Sequence, residues 1–360
     1  MSRILVINPG SKSTKIAMYE DHSQLWQQDI EHDAEEINSY ATIYSQLDMR
    51  AEAVTGALRQ HNEKLEDLTC IMSRGGLLPP LPSGAYEVNE EMLDVLEHRP
   101  VNHHASNLGA AIAYRLAVPL GIKAYIYDPV TVDEMIEIAR ITGIKQIRRH
   151  GQGHNLNMRA AALKYCKDNG LDYYSLNLIA VQLGGGITLT LHSNGRIIDM
   201  VSDDEGPFSS ERCGLIPGYK LVKYAYLEDR NYTSMMKLMQ RQAGLISLIG
   251  EGDVRRVEER VKNGDEEARL AYEAMALGVA KGIANLSVVV DGKVDQIILT
   301  GGIAHSEYFT GMIRQRVEFI APVYIIPGEN EMQALADGAC RVLSGEETAK
   351  EYREPDDRPF

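Results

Sequence analysis

The stretch Arg3-Ile-Leu-Val-Ile-Asn-Pro-Gly-Ser-Lys-Ser-Thr-Lys15, continued by Ile16-Ala-Met-Tyr19, decides the fold. Ile4 to Ile7 is a short apolar run with β-branched residues, and it stops at the turn signal Asn8-Pro9-Gly10. The polar Ser11-Lys12-Ser13-Thr14 leads into a second apolar run. The reading is strand, glycine turn, strand. Such a turn offers backbone N–H groups, hydroxyls and a lysine to a phosphate, although a plain hairpin has the same outline. It is not a Walker A loop, which needs a second glycine and a following helix.

Outward from that stretch, the theme returns. Leu178 to Leu183 reads as a strand, Gly184-Gly185-Gly186 as a turn, Ile187 to Leu191 as the return strand and Arg196 to Val201 as a third strand. A strand around Ser23 to Gln28 gives the N-terminal hairpin the same third member. This is a duplication of architecture without one of sequence. A third glycine turn, Gly301-Gly302, follows the strand Gln296 to Thr300. Glycine lets a backbone approach a ligand closely. Three such turns along the chain suggest a nucleotide held between two domains, two turns facing phosphates and one facing adenosine.

Between these landmarks strands alternate with helices, which is an α/β pattern. Helices are expected over Ala41–His61, Ala110–Ala117, Ala160–Lys167, Glu266–Val290 and Met332–Leu343, and most of Pro217 to Glu273 reads as helical. Leu68–Met72, Ala124–Tyr127 and Pro322–Ile326 read as strands. Thr131-x-x-Glu134 fits a capping box for a helix Val132–Ile141 closed by Gly143. The stiff apolar loop Leu77 to Gly84 either covers a pocket or packs on a core, and His103-His104 are expected to cap a helix. The charged, proline-bearing tail from Glu346 to Phe360 reads as weakly ordered.

Length bounds the problem: 360 residues suit about two domains. A net charge of −14 argues against DNA or an anionic membrane as partner, because phosphate backbones select basic surfaces. The four cysteines, Cys70, Cys166, Cys213 and Cys340, form no Cys-x-x-Cys pair and read as reduced thiols of a cytoplasmic protein. No signal peptide is read at the N-terminus, and no run reaches the ~18 apolar residues of a membrane span.

The basic candidates for anion binding are Lys15, Arg74, Arg148, Arg149, Arg159 and Arg212. Arg74 and Arg212 stand out because glycine-flanked, non-periodic sequence surrounds them, and a planar guanidinium suits carboxylate and phosphoryl oxygens. His150 and His154 are four apart, but the glycines between them oppose a helical metal pair; a donor to a phosphoryl group or a structural histidine are the other readings. Asp128, between a strand and Pro129, is either an electrostatic group or a turn aspartate. Glu205 and Glu331 are magnesium candidates, directly or through water. No nucleophile elbow and no dinucleotide fingerprint is present.

Taken in order, Val6-Ile-Asn-Pro-Gly-Ser-Lys-Ser-Thr-Lys15, Ser73-Arg-Gly-Gly-Leu-Leu78, Arg149-His-Gly-Gln-Gly-His154, Gln182-Leu-Gly-Gly-Gly186, Glu205 through Arg212-Cys-Gly214, Leu299-Thr-Gly-Gly-Ile303 and Asn330-Glu331 resemble the acetate and butyrate kinases, most closely the butyrate branch. The resemblance runs from Ile4 to about Leu343. It implies two similar domains of the duplicated ribonuclease H-like, actin-like ATPase fold, each a five-stranded mixed sheet flanked by helices, with an ATP cleft between them. The implied boundaries are 1–155, completed by part of the C-terminal helix at about 332–360, and 156–331 for the nucleotide-binding domain. The implied reaction is reversible, MgATP-dependent phosphorylation of butyrate to butyryl phosphate and ADP. A kinase for isobutyrate, propionate, valerate or acetate is the alternative, and a chaperone-like nucleotide-regulated binding module the remote one.

Motif by motif, the resemblance implies Arg212, His150, Arg74 and Asp128 as catalytic, with Asp128 orienting Arg212 or His150. Asn8, Gly10, Ser11, Ser13, Thr14 and Lys15 of the first turn, with Gly184, Gly185 and Gly186, would hold phosphates, and Gly301 and Gly302 adenosine. Asn8 and Glu331, and less directly Glu205, would sit by Mg2+. A homodimer or higher homo-oligomer and a functional link to a phosphate acyltransferase are also implied. Three departures stand out. Arg74 falls where acetate kinases carry a histidine, and their arginine falls on Ile71; Arg149 replaces a phenylalanine; Gly185 replaces an asparagine. A proline that shapes the acetate pocket is also absent, which argues for a different acyl chain.

Overall fold

The structure, a computed structural model, describes residues 1–227 and 230–355. Its strands are β1 Arg3–Pro9, β2 Ser13–Glu20, β3 Ser23–Glu31, β4 Cys70–Arg74, β5 Ala85–Glu87, β6 Lys123–Tyr127, β7 Asn177–Leu183, β8 Ile187–Ser193, β9 Arg196–Val201, β10 Gln296–Gly301, β11 Val323–Pro327 and β12 Lys350–Glu351. The chain divides into two compact units, Met1–Asp133 with Asn330–Phe360, and Glu134–Glu329.

The second unit holds a five-stranded sheet in the order β11-β10-β7-β8-β9. The first holds the same order, β6-β4-β1-β2-β3, within a seven-stranded sheet β12-β5-β6-β4-β1-β2-β3. In each, the first strand pairs antiparallel with the second and parallel with the fourth. The duplication read from glycine turns is thus a duplication of mixed-sheet topology. β5 and β12 extend the first sheet beyond the five strands expected, and both are too short to show a period-2 pattern in sequence.

In the first unit, Leu5, Ile7, Ile16 and Met18 pack with Val54, Ala57 and Leu58 of the helix Leu47–Gln60 and with Leu108 and Ile112 of the helix Leu108–Ala117. The other face of β1 carries Ile4, Val6 and Asn8, because side chains alternate along a strand. The loop around Leu78 and Leu81 packs into this core, which settles its two readings. His104 accepts from the Ser106 N–H at the start of the short 3-10 turn Ala105–Asn107. In the second unit the helix Glu266–Ser287 lies in the core through Tyr272, Met275, Val279, Ile283 and Leu286. Residues Glu266–Val290 are long and apolar enough to cross a membrane. Their buried stripe against the sheet accounts for that composition.

Four expectations change. The helix Leu47–Gln60 begins later than Ala41. No helix forms over Val132–Ile141: Val132 bridges Leu81, and the Glu134 carboxylate accepts from the Ile197 N–H at 2.9 Å. Long-range partners therefore take the groups a capping box would use, leaving only a 3-10 turn at Glu137–Arg140. That engagement, with Ile136 N–H donating to Ile198, draws residues from Glu134 onward into the second unit rather than from 156. The tail is ordered through β12, which pairs parallel with β5, and Tyr352 is 1 % exposed. Residues 356–360 of that tail lie outside the described residues.

Candidate active site

In the first unit, Asn8, next to the end of β1, pairs with Lys15 of β2, so the two side chains share a sheet face. Asn8 Nδ2 donates to Glu331 Oε2 at 2.8 Å, and Arg74 Nη1, at the end of β4, donates to the same oxygen at 3.1 Å. Glu331 is the first residue of the helix Glu331–Ser344, where the helix dipole favours a carboxylate. Asn8, Arg74 and Glu331 thus form one cluster. Lys15 belongs to the Asn8 face rather than to the core face. Gly10, Ser11 and Lys12 form the turn between β1 and β2, closed by Gly10 N–H donating to Ser13 O at 2.8 Å.

Asp128 follows β6 with φ +37°, a left-handed conformation that non-glycine residues seldom adopt. It is 2 % exposed, and its Oδ1 accepts from the Gly84 N–H at 2.6 Å. A Cβ at Gly75 would stand 2.6 Å from the Pro129 Cβ, so Arg74-Gly75 and Asp128-Pro129 run against each other.

In the second unit, Gly184–Gly186 joins β7 to β8, with Leu183 and Ile187 paired beneath it. Arg212 packs onto this turn: a Cβ at Gly186 would lie 3.0 Å from its Cζ. Its guanidinium donates to Asp203, and its N–H donates to Ser209 Oγ at 3.2 Å. Ser209 Oγ in turn donates to Gly185 O. The carbonyls of Ser209 and Ser210 accept N–H groups from Leu245 and Ile246 of the helix Gly244–Ile249, so the segment carrying Arg212 is clamped from behind. Burial, and then Arg241, lower the Arg212 pKa. Both causes disfavour its charge, and an anionic ligand would relieve them.

Gln182, at the end of β7, donates to Glu329 Oε1 at 2.5 Å and accepts from Asn157. Each unit therefore ends its first strand in an amide side chain that donates to a carboxylate, Asn8 to Glu331 and Gln182 to Glu329. Gly301, φ +93°, is tied by two backbone hydrogen bonds to Gly328, and a Cβ there would meet Leu183 O at 2.4 Å. Gly302 is exposed and open. His150 is half-buried in the irregular segment before the helix Asn155–Asn169. His154 Nδ1 lies 2.9 Å from Thr188 Oγ1.

The carboxylate that pairs with Arg212 within the second unit is Asp203. Both Glu205 oxygens accept from Arg149, at 2.9 and 3.0 Å. Burial opposes the Arg149 charge, but Glu205 and Asp199 raise its pKa in net. Asp203, Ser209, Gln182 and Glu329 were not singled out by sequence. For Gln182 the signal was its position, the last polar residue before a glycine turn, matching Asn8.

The residues present fit a nucleotide and a magnesium ion. The absence of a side chain at Gly186 lets the Arg212 guanidinium lie against the turn, where a Cβ would crowd it. Asn8 and Glu331 offer hard oxygen donors. Among the described residues no group of three or more His, Cys, Asp or Glu could hold a metal.

The duplicated mixed-sheet α/β architecture is the actin-like ATPase fold. The acetokinase family model matches residues 124–348, and the chain belongs to that family. It is a carboxylate kinase, and enzymes of this family use ATP and ADP, generally with Mg2+. Its fold is similar to that of Porphyromonas gingivalis acetate kinase (20 % identity, TM-score 0.79, covering 95 % of this chain and 100 % of that one). It is also similar to a propionate kinase from Francisella tularensis subsp. tularensis SCHU S4 (19 %, 0.77, 94 % and 99 %). A ROK family protein from Streptococcus pneumoniae shares the fold more distantly (13 %, 0.53, 96 % and 100 %).

Proposed function

We propose that the chain is a butyrate kinase, transferring the γ-phosphoryl group of MgATP directly to the butyrate carboxylate to give butyryl phosphate and ADP. The observation that carries the phosphotransferase half of this reading is Arg212, held by Asp203 and seated against Gly186. Phosphoryl transfer spreads charge over equatorial oxygens, so catalysis rests on positioned cations. A carboxylate nucleophile is ionised at neutral pH and needs no base. In this reading Arg74 orients the acid, while Arg212 and His150 contact the moving phosphoryl group. Both glycine turns hold phosphates, Gly301-Gly302 faces adenosine, and Asp128 orients Arg212 or His150. Asn8 and Glu331 would hold Mg2+, directly or through water. The ion supplies charge neutralisation at the phosphate oxygens.

The acyl preference is supported by Arg149. Where acetate kinases carry a phenylalanine in the acetate pocket, this side chain is withdrawn into ion pairs with Asp199 and Glu205. One methylene is worth only ~1–3 kcal/mol, so the deciding assay is hydroxamate trapping of acyl phosphate across C2 to C6 acids. Highest kcat/KM with butyrate is expected, and Arg212→Ala should lower it roughly 10²–10⁴-fold. A preference for acetate or propionate would refute the butyrate assignment, and near-normal turnover of Arg212→Ala the mechanism.

A further inference from the structure

Behind the first turn lies an arginine that the reaction as described does not use. Arg50, in the helix Leu47–Gln60, is 0 % exposed. Its Nη1 donates to Gly10 O at 2.9 Å, Ser13 O at 3.1 Å and Thr14 Oγ1 at 3.1 Å. Its Nη2 donates to Ser11 O at 3.2 Å, and Nε and Nη2 both reach Gln46 Oε1. Among the described residues it forms no ion pair with a carboxylate. A fully buried guanidinium with only neutral partners is costly. The structure therefore holds a positive charge, uncancelled by the protein, directly beneath the first turn.

The geometry has a second effect. Peptides are planar and trans, so each N–H points opposite to the preceding carbonyl. With Gly10 O and Ser11 O drawn onto Arg50, the N–H groups of Ser11 and Lys12 face away from it, toward the exposed side of the turn. Thr14 lies on the core face of β2 with Ile16 and Met18, whereas Asn8 and Lys15 lie on the other. Arg50 thus grips the turn from the core face and leaves the other face to ligand.

We propose that Arg50 is a positioning residue for nucleotide binding: it turns the Ser11 and Lys12 amides toward the phosphates of a nucleoside di- or triphosphate, whose charge completes the pairing its own burial leaves open. This rests on the reading that the first turn holds nucleotide phosphates. The test compares wild type, Arg50→Gln, Arg50→Lys and Asn8→Ala by MgADP titration, KM for ATP and for the carboxylate, kcat, and Tm. Arg50→Gln should weaken MgADP and raise the KM for ATP about ten- to a hundredfold, with the carboxylate KM within about twofold. Arg50→Lys keeps the charge without the fork and should fall between. If Arg50→Gln does not fold, Arg50→Lys alone should still raise the nucleotide KM while sparing the carboxylate KM. Unchanged MgADP affinity in the Arg50 variants overturns the proposal, as does a loss of both KM values in step with Tm. If Asn8→Ala weakens MgADP and the Arg50 variants do not, only this inference falls; if none of them does, the reading of the turn falls as well.

Discussion

Gly186→Ala isolates the contact that positions Arg212. The new Cβ would lie 3.0, 3.1 and 3.2 Å from Arg212 Cζ, Nε and Nη1. Such contacts ordinarily sit near 3.5–4.0 Å, so the guanidinium must retreat by roughly half an ångström. Nothing in the backbone has to move, because the neighbour is the far end of a side chain. A misplacement of about 1 Å at a reacting group costs about 10² in rate. Half of that predicts a fall in kcat of about tenfold, or ~1.4 kcal/mol of transition-state stabilisation, with Tm within a degree or two. The assay is hydroxamate-trapped acyl phosphate under saturating MgATP and carboxylate, with a thermal melt alongside. Gly301→Ala is the contrast: its Cβ would strike the Leu183 carbonyl at 2.4 Å with φ at +93°, so it should lower Tm and activity together. If Gly186→Ala turned over at the wild-type rate, Arg212 would not act from the place the structure gives it.

Other outcomes follow from neighbouring features. Glu331→Gln keeps a hydrogen-bond acceptor for Asn8 and Arg74 but removes the charge; the Mg2+ concentration for half-maximal activity should rise about tenfold or more, as a magnesium titration would record. His192, fully buried between Tyr173 and Thr190, has its pKa lowered to about 3 by burial first and Arg159 second. The unfolded chain therefore binds the extra proton below pH ~6.5, so stability is full above that pH and declines toward pH 3. Urea melts should lose about 2 kcal/mol between pH 7 and 5, with a flatter profile in His192→Gln. Tyr352→Ala should cost ~3 kcal/mol by denaturant melts, because this tail residue is buried at the edge of the first unit.

The organisation of both sheets was legible because each begins with a β-branched strand that ends in glycine and returns. Neighbouring residues alone carry that signal. What the sequence concealed depends on distant partners. Thr131-x-x-Glu134 is a sound local helix start, but Ile197 and Leu81 compete for its groups from 63 residues after Glu134 in one case and from an earlier loop in the other. The tail looked solvated because its charges outnumber its apolar residues, yet Tyr352 supplies a buried anchor. Arg50 has the outline of any helical arginine; its burial appears only once the helix lies under the first turn. Asp203 and Glu329 stood among other acids, and nothing local separates the carboxylate that holds an arginine from the one beside it.

The first unit is built from both ends of the chain, and this sets an order on its assembly. β1 to β6 are synthesised first, but one face of β1 is covered by the helix Glu331–Ser344, whose Met332, Leu335, Ala336 and Ala339 are buried, and the sheet edge by β12. Between these pieces the ribosome must make the second unit, Glu134–Glu329. At about 5–20 residues per second, roughly 200 residues occupy ~10–40 s. Through that interval the emerging N-terminal sheet carries an apolar face with nothing yet to cover it, while the second unit has all its strands in hand. The later unit can finish folding first, and the earlier one completes its sheet only when its last helix arrives.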